Sequence, residues 1–317
     1  MLKFLKKKIK NRVSEWLVHP WKNHLILTFH RIRSGGDPFS FYDTCPSIPI
    51  RLFSELIFYV KNNYKVVTLK YLSEQRSSKT PLAAITFDDG WLDNYQYAYP
   101  ILKDCGVPAT IFVTTGKIGS TDPFWQQKLG FVFQSVLDNR DPQLEMGLRS
   151  LIQCRSQDPI KKELFFKTVR KWKSLSLDDI QSKLEDLPID LNKNKKRLFL
   201  NHEEIMEMSR YAIDFGSHTV DHTILTNENE IEVAFQLKES KQSLEQLLQN
   251  PVYAFAYPNG DYSSKVAMIA RQTGYTVGCT TKKKKVSDKD SLLKLPRIEI
   301  PSKEEISLII PRKELRQ

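Results

Sequence analysis

The stretch AITFDDGWLDNY, residues 84–95, decides how the chain is read. An apolar run, residues 82–87, stops at two adjacent carboxylates, Asp88 and Asp89, followed by Gly90 and a helical pattern. A short apolar run that ends in a turn and feeds a helix reads as a buried strand opening a βα unit. Two like charges at the end of such a strand repel. Burial raises the pKa of at least one of them unless a cation stands nearby. The rest of the chain has to supply that cation.

Outward from this stretch the same alternation recurs. Strands are predicted over 25–31, 65–69, 82–88, 109–115, 213–218, 253–257, 276–280 and 295–300. Helices are predicted over 50–62, 92–105, 203–210, 228–249 and 263–273. Such alternation implies a largely parallel sheet, and about eight strands favour its closure into a barrel. Residues 120–197 break the rhythm. FWQQKLGFVFQSVL, KKELFFKTVRKWKSL and DDIQSKLEDL are all helical in pattern, so this part reads as a helical insertion in a single α/β domain spanning 21–317.

The 317 residues carry 48 Lys and Arg against 37 Asp and Glu, a formal net charge of +11. That balance suits an anionic partner: nucleic acid, a membrane surface or a phosphorylated substrate. There is no zinc-finger spacing, aromatic RNA-binding signature or recognition-helix pattern, so no nucleic-acid partner is expected. Cys45, Cys105, Cys154 and Cys279 are scattered, which fits a reducing compartment.

Residues 1–20 lack the continuous apolar core of a signal peptide, and no stretch is long and apolar enough to span a bilayer. Read as a helix, they put Leu2, Leu5, Ile9, Val13, Trp16 and Leu17 near one face and Lys3, Lys6, Lys7, Lys10 and Arg12 around the other. This suits a helix lying on an anionic membrane surface, and equally an amphipathic helix capping the domain. The expected location is cytoplasmic, peripheral on the inner face of the membrane. The lysine-rich runs 192–197 and 281–290 read as solvated loops.

His218 and His222, in FGSHTVDHTIL, stand four residues apart, a spacing at which two imidazoles can hold one metal ion. Alone, the spacing is also met by two unrelated surface histidines. Joined to an aspartate, it makes a two-histidine, one-carboxylate set with open positions. That set supplies the missing cation. One aspartate becomes a ligand, and the other can take a proton from a water whose pKa the metal lowers. His30, Asp88, Asp89, His218 and Tyr257 all fall at or just past the C-terminal ends of predicted strands, the face where a barrel assembles its active site.

These residues resemble a family. TFDDG (86–90) and HTVDH (218–222) are similar to the first two motifs of the polysaccharide deacetylases, the NodB-homology enzymes of carbohydrate esterase family 4. AFAYPNGDYS (254–263) resembles their third motif. LPRIEI (295–300) and LILTFHRI (25–32) resemble one branch. The resemblance implies a distorted (β/α) barrel and removal of acetyl groups from sugars. It implies Asp88 as general base, with Asp89, His218 and His222 around one divalent metal. Zinc is the expected ion, with cobalt, nickel, iron or manganese compatible. Thr219 would brace the loop, and a backbone N–H near Tyr257 and Pro258 would help hold the oxyanion.

Two departures follow. No histidine comes after His222, so the late-strand histidine that many members use as general acid is missing. His30 is the expected substitute, against the alternative of a structural histidine at a strand end. Phe255 and Ala256 stand where many members carry arginine. Arg297 is expected to restore that charge beside Asp88, or else to be an ordinary arginine of the rim. Trp91 and Trp125 either stack on a sugar or belong to the core. His19, His24 and His202 have no motif, and Ser217 and Ser263 lack a His/Asp arrangement of their own.

The expected activity is metal-dependent N-deacetylation of an N-acetylhexosamine-containing glycan or a lipid-phosphate-linked sugar, in surface polysaccharide or glycolipid synthesis. The alternative is an inactive sugar-binding or scaffolding relative. A glycosidase needs two acids about 5 to 9.5 Å apart across the scissile bond, which adjacent aspartates do not provide.

Overall fold

The computed structural model describes residues 24–34, 44–139, 141–155, 157, 159–187 and 196–300. The basic segment 1–20 lies outside them. Among the described residues, no helix is long and apolar enough to cross a membrane.

The central sheet is built from β1 (Leu25–Phe29), β4 (Lys65–Val66), β5 (Leu82–Phe87), β6 (Ala109–Val113), β7 (Ile213–Ser217), β8 (Ala254–Ala256), β9 (Val277–Cys279) and β10 (Ile298–Glu299). The strand order is β10-β1-β5-β6-β7-β8-β9, all pairs parallel, with β4 also paired to β5. The sheet curls until its ends nearly meet. Leu295 donates to the Gly278 carbonyl and accepts from Thr280 N–H, while β10, three residues on, pairs with β1. This is the expected distorted barrel, stitched shut by a few bonds.

Alternation along the strands divides two cores. Leu25, Leu27 and Phe29 of β1 join Ala83, Ile85 and Phe87 of β5 beneath the outer helices. Ile26, Ala84, Phe112, Ala254, Ala256, Cys279 and Leu295 form a second cluster. Its strand residues are mostly small, leaving room for the Phe112 ring. At Gly216 a Cβ would come 2.6 Å from that ring and 2.8 Å from the Ala254 carbonyl oxygen.

The helices packed around the sheet are α1 (Ile50–Asn63), α2 (Leu69–Glu74), α3 (Tyr99–Cys105), α8 (His202–Ser209), α9 (Glu230–Leu248) and α10 (Ser264–Gln272). The helix expected over 92–105 is interrupted. A π-turn, Asn94–Ala98, precedes α3, which carries Pro100 in its first turn, where the missing N–H cannot continue the regular ladder. Arg31–Arg33 (β2) and Ser47–Pro49 (β3) form a small parallel sheet that was not expected.

Between β6 and α8 run α4 (Trp125–Asn139), α5 (Pro142–Ile152), α6 (Lys162–Trp172) and α7 (Leu177–Glu185). They bury a core of their own around Leu129, Phe133, Leu148, Phe165 and Trp172. Trp125 belongs to this core, its ring 6.0 Å from that of Trp172, which removes it from the sugar-stacking candidates.

Several strands stop one residue short of their expected ends, at Phe87, Ser217 and Ala256. The residues that follow, Asp88, His218 and Tyr257, each give one last N–H to the neighbouring strand, to the carbonyls of Phe29, Val113 and Cys279, and end the ladder.

Candidate active site

Asp88 still donates its N–H to the Phe29 carbonyl (3.0 Å), extending the β1–β5 pairing by one residue. Asp89 and Gly90 then take left-handed backbones, φ 77° and 80°. For an aspartate this conformation costs on the order of 1 kcal/mol or more and persists only where its surroundings hold it. Its effect is to give the two adjacent carboxylates separate partners.

Asp88 meets Arg297 in a two-pronged pair. Nη1 reaches Oδ1 and Nη2 reaches Oδ2, both at 2.7 Å. Arg297 is fully buried, with Nε on the Thr280 carbonyl (3.1 Å) and its guanidinium over the Phe112 ring. Burial alone would push the Asp88 carboxyl up. Arg297, helped by His218 and His30, outweighs burial and holds it below the usual carboxylate range. Asp88 is therefore a buried but ionised base at neutral pH.

Asp89 has the other environment. Oδ2 accepts from the Trp91 indole N–H at 2.7 Å. Oδ1 is buried without a hydrogen-bond donor, with His218 Nε2 at 3.4 Å and His222 Nε2 at 3.3 Å. His218 Nδ1 donates to the Ala256 carbonyl (2.9 Å), so its lone pair lies on Nε2, toward Asp89. One ligand atom from each of Asp89, His218 and His222 lies within 4.8 Å of the others, a set able to hold a metal ion. The unsatisfied Asp89 oxygen between two imidazoles fits a divalent cation. Without one, burial opposes charge on His218, but Asp88 and Asp89 prevail and raise its pKa. Burial lowers that of His222.

The HTVDH segment reaches its spacing through a turn in which Thr219 (φ 65°) and His222 (φ 61°) are left-handed. Ser217 Oγ accepts from Thr219 N–H, and Thr219 Oγ1 accepts from Thr223 N–H, both at 3.1 Å. Gln236 Oε1, on α9, accepts from the N–H groups of Val220 (2.9 Å) and Asp221 (3.1 Å). Ser217 and Gln236 thus brace the loop beside Thr219. Neither carries a motif that would reveal this.

His30 follows β1. Its Nε2 lies 3.9 Å from Asp88 Oδ2, and its Nδ1 lies 4.0 Å from Glu299 Oε1. Glu299 was missed in sequence, although it shares with Arg297 the two-residue periodicity that puts side chains on one face of a strand.

Three expectations are corrected. Trp91 is 1% exposed, stacked on Phe199 at 4.6 Å and covered by the Arg31 guanidinium, so it offers no face to a sugar. Its indole positions Asp89 instead. Tyr257 is fully buried, its hydroxyl donates to the Leu293 carbonyl, and its N–H is taken by the Cys279 carbonyl, so it has no N–H free for an oxyanion. Pro258, also buried, has no N–H. Outside the site, His24 ties Leu82 N–H to the Arg76 carbonyl, and Ser263 caps α10.

A family model for polysaccharide deacetylase matches residues 75–278, from before the Asp88–Asp89 pair to β9. The chain belongs to the polysaccharide deacetylase family. This polysaccharide deacetylase is 22% identical over 280 residues to YxkH of Bacillus subtilis (strain 168), covering 87% of this chain and 70% of that one. It is 26% identical over 229 residues to the poly-beta-1,6-N-acetyl-D-glucosamine N-deacetylase of Staphylococcus epidermidis, covering 65% and 75%. Among solved structures, the deacetylase PplD of Streptococcus pyogenes, in complex with acetate, superposes with a TM-score of 0.60. Identity is 22%, and 91% of this chain and 99% of that one are covered. IcaB from Ammonifex degensii superposes with a TM-score of 0.57 at 17% identity, covering 91% and 95%. These likenesses carry the barrel fold.

Proposed function

We propose that the chain is a metal-dependent N-deacetylase of N-acetylhexosamine units in a surface glycan or a lipid-linked precursor. The observation that carries this reading is the division of labour between adjacent aspartates, Asp88 clamped as an anion by Arg297 and Asp89 shared by two imidazoles. Asp89, His218 and His222 would hold the ion, zinc being the best match to a His/His/carboxylate set. When bound, it supplies Lewis acidity to the acetyl carbonyl and to a water molecule.

Asp88 takes the proton of the attacking water as its oxygen bonds to the acetyl carbon. The turn after β8 supplies an oxyanion donor. With the Tyr257 N–H paired, Pro258 lacking one and the Gly260 N–H on the Tyr257 carbonyl, that donor is the N–H of Asn259, itself left-handed at φ 60°. His30, whose Nε2 lies 3.9 Å from Asp88 Oδ2, protonates the leaving nitrogen as the C–N bond breaks. The products are acetate and a free amino sugar.

The net charge of +11 and the basic segment 1–20 support action on lipid-phosphate-linked sugar at the inner membrane face. Acetate release from N-acetylglucosamine oligosaccharides tests the reaction. Asp88→Asn is expected to lower kcat/KM by roughly 10² to 10⁴-fold, with metal content unchanged. Turnover equal to that of the unaltered chain contradicts the assignment.

A further inference from the structure

The helical insertion touches the barrel at a corner beside the site. Residues 173–176 join α6 to α7. Asn227, five residues past His222, donates its side-chain amide to the carbonyls of Lys173 (2.8 Å) and Leu175 (2.9 Å). Glu228 accepts from Leu177 N–H at 2.9 Å, at the start of α7. The corner is thus fastened to the loop that carries a metal-ligand candidate.

From it the Lys173 ammonium reaches across to Asn259 Oδ1, in the turn assigned above to the oxyanion. Among the described residues no carboxylate lies within 4.0 Å of Lys173 Nζ. Asp261 and Glu299 act on it only from farther away. Burial lowers the Lys173 pKa more than those two carboxylates raise it, so its charge is under-compensated where it sits. Glu299 in turn lies 4.0 Å from His30 and 4.0 Å from Lys283 Nζ, which links this corner to the catalytic rim.

We propose that the insertion forms one wall of the substrate cleft and that Lys173 binds an oxyanion, phosphate or carboxylate, attached to the acetylated sugar or to its neighbour. The inference rests on the deacetylase reading. It assigns the insertion a role in selecting acidic substrates, which neither the deacetylase motifs nor the metal cluster requires. The ammonium supplies a charge-assisted hydrogen bond, and its partial burial makes that bond stronger than one from a lysine in open solvent.

Three probes test it: N-acetylglucosamine 1-phosphate, its neutral methyl glycoside, and an N-acetylglucosamine disaccharide bearing a uronic acid. Each is measured for acetate release and, by calorimetry, for binding to the full chain, to Lys173→Met and to Lys173→Arg. The unaltered chain should prefer at least one acidic probe over the neutral glycoside by roughly tenfold in KM, the scale of a single charged hydrogen bond. The phosphate and uronate arms tell which oxyanion is selected. Lys173→Met should abolish the preference, bringing the KM for the acidic probe to that for the neutral glycoside whatever the change in kcat, and Lys173→Arg should keep part of it. A preference that is absent, or that survives in Lys173→Met, overturns the proposal. If no probe releases acetate while the Lys173-dependent preference persists in binding, the deacetylase reading fails and the anion site stands.

Discussion

The two sides of the active-site rim are built differently. On one side, Asp89, His218 and His222 come from two short segments, each following a strand end directly. On the other, His30, Arg297 and Glu299 come from opposite ends of the described chain and meet because β10 pairs with β1. Each segment of the first side is local in sequence and is shaped by a turn held by left-handed residues, and the two are brought together by neighbouring strands of the sheet. The second exists only once the barrel closes. The metal-ligand candidates are legible as motifs, whereas Arg297 was expected beside Asp88 only by resemblance and reaches it through the β10–β1 pairing.

Arg297→Met breaks this comparison most severely. It strands the buried Asp88 carboxylate, a change of the kind that costs about 3–5 kcal/mol. The sign of its pH effect follows from Asp88. A carboxylate held below its ordinary pKa of about 3.9 contributes stability above that value and loses it as pH falls through the depressed one. Without Arg297, burial raises that pKa. The acid limb of both the stability and the kcat/KM profiles should therefore move to higher pH, as read by thermal melts and initial rates across pH 3 to 8. Unmoved profiles would mean that the pair does not set the charge of Asp88.

His30→Ala sharpens the comparison on the closure side. It should lower kcat by roughly 10²-fold, the lower range for a lost general acid, with metal content intact. The loss should shrink on an O-acetyl ester, whose leaving group needs less protonation. Equal losses on amide and ester would leave His30 a structural residue.

The smallest effect is expected on the local side. Trp91→Phe keeps the stacking on Phe199 but removes the 2.7 Å hydrogen bond to Asp89. Loss of a partner that orients a ligand typically costs 10 to 100-fold in metal affinity. A drop of roughly tenfold in a competitive zinc titration, with little change in Tm, is expected. Unchanged affinity would make Trp91 a packing residue alone.

Much of the fold was legible, because βα alternation and carboxylates at strand ends are local patterns. The roles of Trp91 and Tyr257 were not. An aromatic residue beside a motif reads alike whether its ring faces a sugar or the core, and only packing against Phe199 or pairing with Cys279 decides. The proposed oxyanion donor, Asn259, was hidden for the same reason. Which N–H of a turn is free depends on strand register, set by residues on β9. Gln236 braces the histidine loop from a helix about 15 residues on, with nothing in its neighbourhood to mark it.

The most direct test of the account is the metal content of purified protein after dialysis against trace divalent ions, measured beside His222→Ala of equal folded fraction. The account predicts about one ion per chain, lost in the variant, as a His/His/carboxylate site requires. Equal metal content in both proteins, or none in the folded unaltered chain, would contradict it.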